Sequence, residues 1–190
     1  PAPTKSHPRA LLEARRVSTE GPCRGGGAGI QAGLKTVAAV GCYGMSAMTA
    51  ITAKNTLGVT AVESLTPDIV AAQIDAVAGD IGVDAAKTGM LGTPQVVEAI
   101  LSALDRHPIA NLVVDPVMVS TSGAQLGTDA TVQAMAKWLF PRALIVTPNL
   151  PEASALLGRD IRTADDMLPA ARELLEIGRA HVWTPVPCST

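Results

Sequence analysis

Three short apolar runs in this chain each stop at residues able to do chemistry: Lys87-Thr88-Gly89, Asp115-Pro116 and Thr147-Pro148-Asn149. Any one of them is equally readable as a turn or a helix cap, because Asp, Asn, Thr, Gly and Pro are turn residues. Three at the same edge of one sheet point to a shared site. Asn149 and Glu152 form an N-x-x-E step. A carboxylate and an amide one turn apart can hold Mg²⁺ through its waters, as phosphoryl transfer requires. The same spacing also describes an Asn helix cap with Glu in the first turn, and spacing alone favours the cap. Asp115 and Glu152 each follow an apolar strand and are expected to reach one metal-and-phosphate site. The run Gly25-Gly26-Gly27-Ala28-Gly29 precedes a helical pattern, and a helix N-terminus behind flexible glycines suits an anion. It is not G-x-G-x-x-G and follows no strand, so a dinucleotide reading fails on context, while a plain linker stays open. The chain has no G-x-x-x-x-G-K-[ST] and no C-x-x-C or other zinc spacing, and no Ser-His-Asp set is readable.

The elements that would carry these residues alternate between helix and strand. Residues 28–40 read as a helix, with Ile30, Leu34 and Val37 on one face. Met45–Thr52 is a small, β-branched run suited to a buried strand, and Thr60–Glu63 follows the turn at Asn55–Gly58. Thr66-Pro67 and Thr93-Pro94 are helix starts, Thr capping and Pro at the first helical position. Their apolar faces carry Val70, Ile74, Val77 and Ile81, and then Val96, Val97, Ile100, Leu101 and Leu104. Strands are expected at Ala85–Lys87, Leu112–Val114 and Leu144–Val146, and helices at Thr128–Leu139, Glu152–Leu157 and Ala164–Leu175. Continuous apolar strands, each followed by a helix, imply an α/β fold whose mostly parallel sheet is covered on both faces. In such a sheet, ligands sit beyond the carboxyl ends of the strands.

Composition narrows the function. The chain has 190 residues, 47% hydrophobic and 17% charged, which is enough for one domain with a sizeable core. Its aromatic residues are Tyr43, Trp138, Phe140 and Trp183, too few for a base-stacking platform. A net charge of −2 argues against a general phosphate-backbone binder, so no nucleic-acid partner is expected. No run reaches the length of a membrane span and no secretory signal opens the chain, so no membrane partner is expected. Cys23, Cys42 and Cys188 are odd in number and lack a disulfide spacing, which suggests a reducing compartment, the cytoplasm. Charge is uneven: residues 1–24 carry +3, residues 25–176 carry −6 and residues 177–190 carry +1. Three segments follow. Residues 1–24 are atypical, read as disordered, non-native or an Arg-rich transit segment. Residues 25–176 form the domain. Residues 177–190 resemble translated sequencing-adapter DNA and are read as a non-native tail without a packed helix or strand.

Six motifs together carry a resemblance. Gly25–Ala32, then Tyr43-Gly44-Met45-Ser46-Ala47, Asn55-Thr56-Leu57-Gly58-Val59, Lys87-Thr88-Gly89-Met90-Leu91, Val114-Asp115-Pro116-Val117-Met118 and Thr147-Pro148-Asn149-Leu150-Pro151-Glu152-Ala153 resemble, in order, the bacterial hydroxymethylpyrimidine/phosphomethylpyrimidine kinases of thiamine biosynthesis. The likeness covers about residues 25–176. It implies a three-layer α/β/α ribokinase-like fold, here incomplete at both ends. It implies ATP-dependent phosphorylation of 4-amino-5-hydroxymethyl-2-methylpyrimidine and then of its monophosphate, with ATP and Mg²⁺ as cofactors and a homodimer as the assembly. Asp115, Asn149 and Glu152 would lie near the ATP phosphates, Asp115 and Glu152 nearest Mg²⁺. Gly29, Gly33, Lys54, Val59 and Met90 would line the pyrimidine site.

The departures from the family pattern also set expectations. The family's apolar first strand falls at Ser18–Arg24, just before the glycines, and that stretch carries no strand signal. Gly33 stands where the family has an Asp that contacts the pyrimidine, and Lys54 where it has a Gln that bonds it. Lost partners of this kind weaken discrimination, because they leave buried groups unpaired. The family's Gly-rich anion-hole segment, with its catalytic residue, would fall beyond Glu176. No catalytic residue is therefore assigned within the chain, and the chain as given is expected to be impaired. A pyridoxal kinase-like enzyme and a non-catalytic ligand-binding remnant are the alternatives.

Overall fold

The apolar runs become parallel strands. The computed structural model describes residues 11–14, 17–18, 29–54, 59–118, 127–178 and 181–182. Its strands are β1 (Leu11–Ala14), β2 (Val17–Ser18), β3 (Gly44–Ala47), β4 (Ala50–Lys54), β5 (Val59–Ser64), β6 (Ala85–Thr88), β7 (Asn111–Val114), β8 (Ile145–Val146) and β9 (His181–Val182). Its helices are α1 (Gly29–Ala39), α2 (Pro67–Asp80), α3 (Pro94–Arg106), α4 (Asp129–Ala134), α5 (Leu150–Leu157) and α6 (Ala164–Gly178). The main sheet has the order β3-β1-β6-β7-β8-β9, every neighbouring pair parallel. A second, smaller sheet has the order β2-β4-β5, with β4 and β5 antiparallel.

Side-chain alternation divides the main sheet into two faces. Met45, Ala47, Ala86, Thr88, Leu112, Val114 and Val146 are buried on one face. There they meet Val70 and Ile74 of α2 and Val96, Val97, Ile100 and Leu104 of α3, in the main core with Met135, Leu139 and Phe140. Gly44, Ser46, Ala85, Lys87, Val113 and Ile145 alternate with these and are half-buried. On that second face α1 closes against β3. A Cβ at Gly44 would sit 2.9 Å from Leu34 Cδ2 and 3.3 Å from Val37 Cγ1, so only glycine permits this approach without a shift. Helices on both faces make the three-layer α/β/α arrangement that the alternating pattern implies. A smaller core of Ala153, Ile161, Ala170 and Leu174 joins α5 to α6. No helix among the described residues is long and apolar enough to cross a membrane.

The backbone departs from the sequence reading in five places. Leu11–Ala14 is a strand between β3 and β6, and Val17–Ser18 pairs with β4, although no strand is expected before residue 25. Pairing on both sides stabilises β1, which the local run Leu11-Leu12 does not advertise. The single run expected at Met45–Thr52 is two strands in two sheets. Gln73 of α2 accepts from the Met48 N–H at 3.0 Å and donates to the Met48 carbonyl at 3.0 Å, which engages that residue's backbone groups away from either sheet. The strand at 60–63 is real but antiparallel. The helix expected through Leu139 is regular only to Ala134. Phe140 N–H then bonds the Met135 carbonyl five residues back, a π-turn over Met135–Leu139, and Phe140–Arg142 tightens to a 3₁₀ turn at Pro141, which has no N–H to give. Finally, α6 continues to Gly178 and His181–Val182 pairs with β8, where the tail is expected to hold no strand. The turn at Asn55–Gly58, the glycines at 25–28, Cys23 and Cys188 lie outside the described residues.

Candidate functional site

Register lines up the strand ends. Ala14 faces Ala47 on one side and Thr88 on the other, and Thr88 faces Val114, which faces Val146. The segments that follow leave the sheet at one edge and are tied to each other there. Asp115 N–H bonds the Thr88 carbonyl at 3.1 Å, and Thr147 N–H bonds the Val114 carbonyl at 2.9 Å. Lys87-Thr88-Gly89, Asp115-Pro116 and Thr147-Pro148-Asn149 therefore share one edge, as the strand pattern implies.

Lys87 and Asp115 form the charged centre of that edge. Both fall on the half-buried face by alternation, and Lys87 Nζ donates to Asp115 Oδ2 at 2.8 Å. The two side chains are 23% and 25% exposed, so solvent screens the pair only in part. Beside them, Asn149 caps α5 in a reciprocal box. Its Oδ1 accepts from Glu152 N–H at 2.9 Å, and Glu152 Oε2 accepts from Asn149 N–H at 2.9 Å. The cap that spacing favours is thus present. Glu152 is more than a cap residue. It is 5% exposed, and burial pushes its carboxyl up to about 7, with the nearby negative charge of Asp115 adding to the rise. Hydrogen bonds from the Asn149 and Met118 backbones oppose it.

This donor set fits a hydrated Mg²⁺. Asp115 and Glu152 are close enough to feel each other's charge, and a divalent cation relieves such repulsion. Among the described residues no cluster of three or more His, Cys, Asp or Glu is arranged around a point. Two carboxylates and retained waters are what Mg²⁺ takes when phosphates complete its shell. Lys87 supplies a cation at the same edge.

A small, largely buried apolar patch is formed in part by the segments that leave β6 and β7. Met90, one of the residues expected to line a substrate, is 5% exposed and packs with Ala50 and Val117. Of the other residues expected there, Lys54 ends β4 opposite Val59, which begins β5, just past a break in register at Ala53/Lys54. Gly29, at φ +81°, opens α1, and Gly33 lies one turn further on. Sequence reasoning does not assign Lys87 a role, although its place in the Lys87-Thr88-Gly89 strand end is visible. It misses Thr49, whose hydroxyl donates to the Met90 carbonyl at 2.6 Å, because a lone Thr in a small-residue strand carries no signal. A cavity of about 20 Å³ lies under Thr88, between Ile74, Ile100, Leu104 and Leu112. It has room for little more than one water, so it is not a substrate site.

A three-layer α/β/α scaffold with a parallel sheet and this strand-end arrangement is ribokinase-like. The phosphomethylpyrimidine kinase family model matches residues 24–184, and the chain belongs to that family. It is 44% identical over 168 residues to the hydroxymethylpyrimidine/phosphomethylpyrimidine kinase of Bacillus subtilis, a match covering 88% of this chain and 62% of the relative. Among solved structures, the phosphomethylpyrimidine kinase of Clostridium difficile 630 superposes with a TM-score of 0.79 at 43% identity, covering 93% of this chain and 74% of that one. A pyridoxal kinase from Staphylococcus aureus, solved in complex with pyridoxal, gives 0.80 at 34% identity, covering 94% of this chain and 63% of that one.

Proposed function

We propose that the whole protein phosphorylates 4-amino-5-hydroxymethyl-2-methylpyrimidine, and then its monophosphate, at the expense of ATP in thiamine biosynthesis. The observation that carries this reading is the juxtaposition at one sheet edge of Lys87–Asp115, the Asn149–Glu152 box and the apolar patch at Met90. A flat heterocycle on an apolar floor, with phosphates held a few ångströms away by cations, is the arrangement that phosphoryl transfer needs. Asp115 and Glu152 would hold Mg²⁺, which when bound would supply charge neutralisation for the transferring phosphoryl group. Lys87 orients Asp115. Asn149 fixes Glu152 by the cap. Gly29, Gly33, Lys54, Val59 and Met90 surround the pyrimidine. The enzyme works in the cytoplasm as a homodimer, a reading that sedimentation and cell fractionation check.

Support for ATP comes also from similar structures, since Staphylococcus aureus pyridoxal kinase is solved with AMP-PCP and with ADP. The same similarity, with Gly33 and Lys54 in place of the family's usual residues, favours pyridoxal as the second substrate class to test. The experiment is turnover by the full-length protein, ATP and Mg²⁺ being supplied with either the hydroxymethylpyrimidine or pyridoxal and phosphorylated product read by ³¹P resonance. Product from the pyrimidine at a kcat/KM above that for pyridoxal supports the proposal. Product from pyridoxal alone replaces it, and product from neither removes the kinase reading.

A further inference from the structure

The β3–β4 junction is the place where the main sheet hands the chain to the small one. Its polar groups are bonded to three other segments. Gln73 takes both polar groups of Met48. Leu65 N–H bonds the Thr49 carbonyl at 2.9 Å, closing the foot of the β4–β5 hairpin. Thr49 Oγ1 reaches across 41 residues of sequence to the Met90 carbonyl at 2.6 Å. Thr49 is 2% exposed and Met90 5%. The next residue, Ala50, is itself packed on Met90.

The loop that carries Met90 is held from its far end too. Thr131 Oγ1 donates to the Gly92 carbonyl at 2.9 Å, and Thr93 N–H bonds the Leu91 carbonyl at 2.8 Å. Buried hydroxyls from two different elements thus take carbonyls at positions 90 and 92. A buried carbonyl deprived of its donor forces the loop to move or stay unsatisfied. Substrates bound on such a loop feel the change, because a displacement of about 1 Å suffices to weaken binding and rate.

We propose that Thr49 is a positioning residue for the substrate floor. Its hydroxyl locks the Met90 loop to the sheet junction and so sets the distance between the apolar patch and the Lys87–Asp115 charge. The link to substrate rests on the pyrimidine kinase reading, whereas the link between Thr49 and the Met90 loop does not. The lock acts on the heterocycle side of the site and leaves the phosphate side alone, since Asp115 and Glu152 are held by Lys87 and Asn149.

Thr49→Val keeps the shape and removes the donor, and Thr49→Ser keeps the donor. Hydrogen exchange of the chain reports amides 88–93, and calorimetry reports binding of the hydroxymethylpyrimidine and of Mg²⁺-ATP. In Thr49→Val, exchange across 88–93 is expected to quicken and pyrimidine affinity to fall about tenfold, the worth of one buried hydrogen bond. ATP affinity is expected to hold within about twofold, and Thr49→Ser to restore both readouts. If Thr49→Val fails to fold, Gln73→Met, which loosens the same junction from the helix side, is expected to show the same split with a smaller change. Exchange across 88–93 that does not change in these variants overturns the proposal, as does equal loss of ATP and pyrimidine binding. A wild-type chain that binds ATP but no pyrimidine overturns the substrate reading instead, and exchange alone then decides whether Thr49 holds the loop.

Discussion

The two sheets of this molecule are built from similar small and β-branched residues, yet they live in different surroundings. In β3, β6, β7 and β8 of the main sheet every second residue is buried in the core that α2 and α3 cover: Leu112 and Val114 are 1% and 0% exposed. In the small sheet β4 still alternates, with Ala50 and Thr52 buried and Ile51 at 48%, whereas Thr60–Ser64 of β5 are all exposed, with Val62 at 42%. Burial in the main sheet fixes register, because a slip by one residue would expose the whole apolar set. In the small sheet, register relies on the hairpin and on the clasp at Met48–Thr49. The main sheet presents the charged groups and the Met90 loop, and the small sheet carries Lys54 and Val59, two of the residues proposed to meet the substrate.

The difference should appear most strongly as stability. Phe140, 1% exposed in the main core, loses about 3–5 kcal/mol on truncation to Ala. Val62→Ala in the exposed hairpin should cost less than about 0.5 kcal/mol. Urea unfolding of both variants measures it. Similar losses at the two sites would mean that the small sheet is covered by something in solution, and the contrast would dissolve.

A second effect belongs to the main-sheet edge alone. The Glu152 carboxyl is raised from its ordinary 4.5 to about 7 by burial, with Asp115 adding to it. Below pH 4.5 the group is protonated whether the chain is folded or not, and it makes no difference to stability. As pH rises from 4.5 through 7, the unfolded chain ionises while the folded one still holds its proton. Stability should therefore fall across that window, by up to about 3 kcal/mol. Glu152→Gln keeps an oxygen for the Asn149 cap and cannot ionise, so its profile should be flatter there. Added Mg²⁺ at pH 8 should return stability to the wild type and not to the Gln variant. Parallel profiles for the two proteins would take Glu152 out of the account.

Much of the main sheet was legible because burial writes a pattern. Leu112-Val113-Val114 reads as a buried strand, Leu144-Ile145-Val146 as one that the structure confines to Ile145–Val146 with Leu144 43% exposed, and Thr93-Pro94 as a helix start, whose Thr93 hydroxyl accepts from Val96 N–H at 3.3 Å. Thr66-Pro67 marks its helix equally well, although the Thr66 side chain makes no capping bond. What escaped had long-range causes. β1 is stabilised by neighbours 33 and 74 residues away in sequence, which no local window contains. The break at Met48-Thr49 is made by Gln73, 25 residues on. The site was legible as chemistry at strand ends, whereas the Lys87–Asp115 pairing depends on sheet order and cannot be read from spacing.

The smallest effect tests the small sheet's share in recognition. Lys offers three donors and no acceptor, while Gln offers both and so matches both a donor and an acceptor on an aminopyrimidine edge. Lys54 stands where the family pattern has that Gln, at the end of β4 and in register with Val59. Gly33, in α1, stands where the pattern has an Asp whose carboxylate could also balance the lysine's charge. Each buried polar group of a ligand left without a partner costs about 1–3 kcal/mol. Restoring Lys54→Gln and Gly33→Asp together should therefore tighten hydroxymethylpyrimidine binding by at least about tenfold, one hydrogen bond's worth. ATP affinity should hold, since that side of the site is built on the main sheet. Gly33→Asp places a new carboxylate in a half-buried stretch of α1, so unfolding curves must accompany the titration, and the tightening counts only where they match the wild type. An unchanged pyrimidine affinity in a well-folded double variant would mean that the hairpin's register, or the substrate, is not the one assigned. Tighter pyridoxal binding in the same variant would turn the contrast towards the second substrate class.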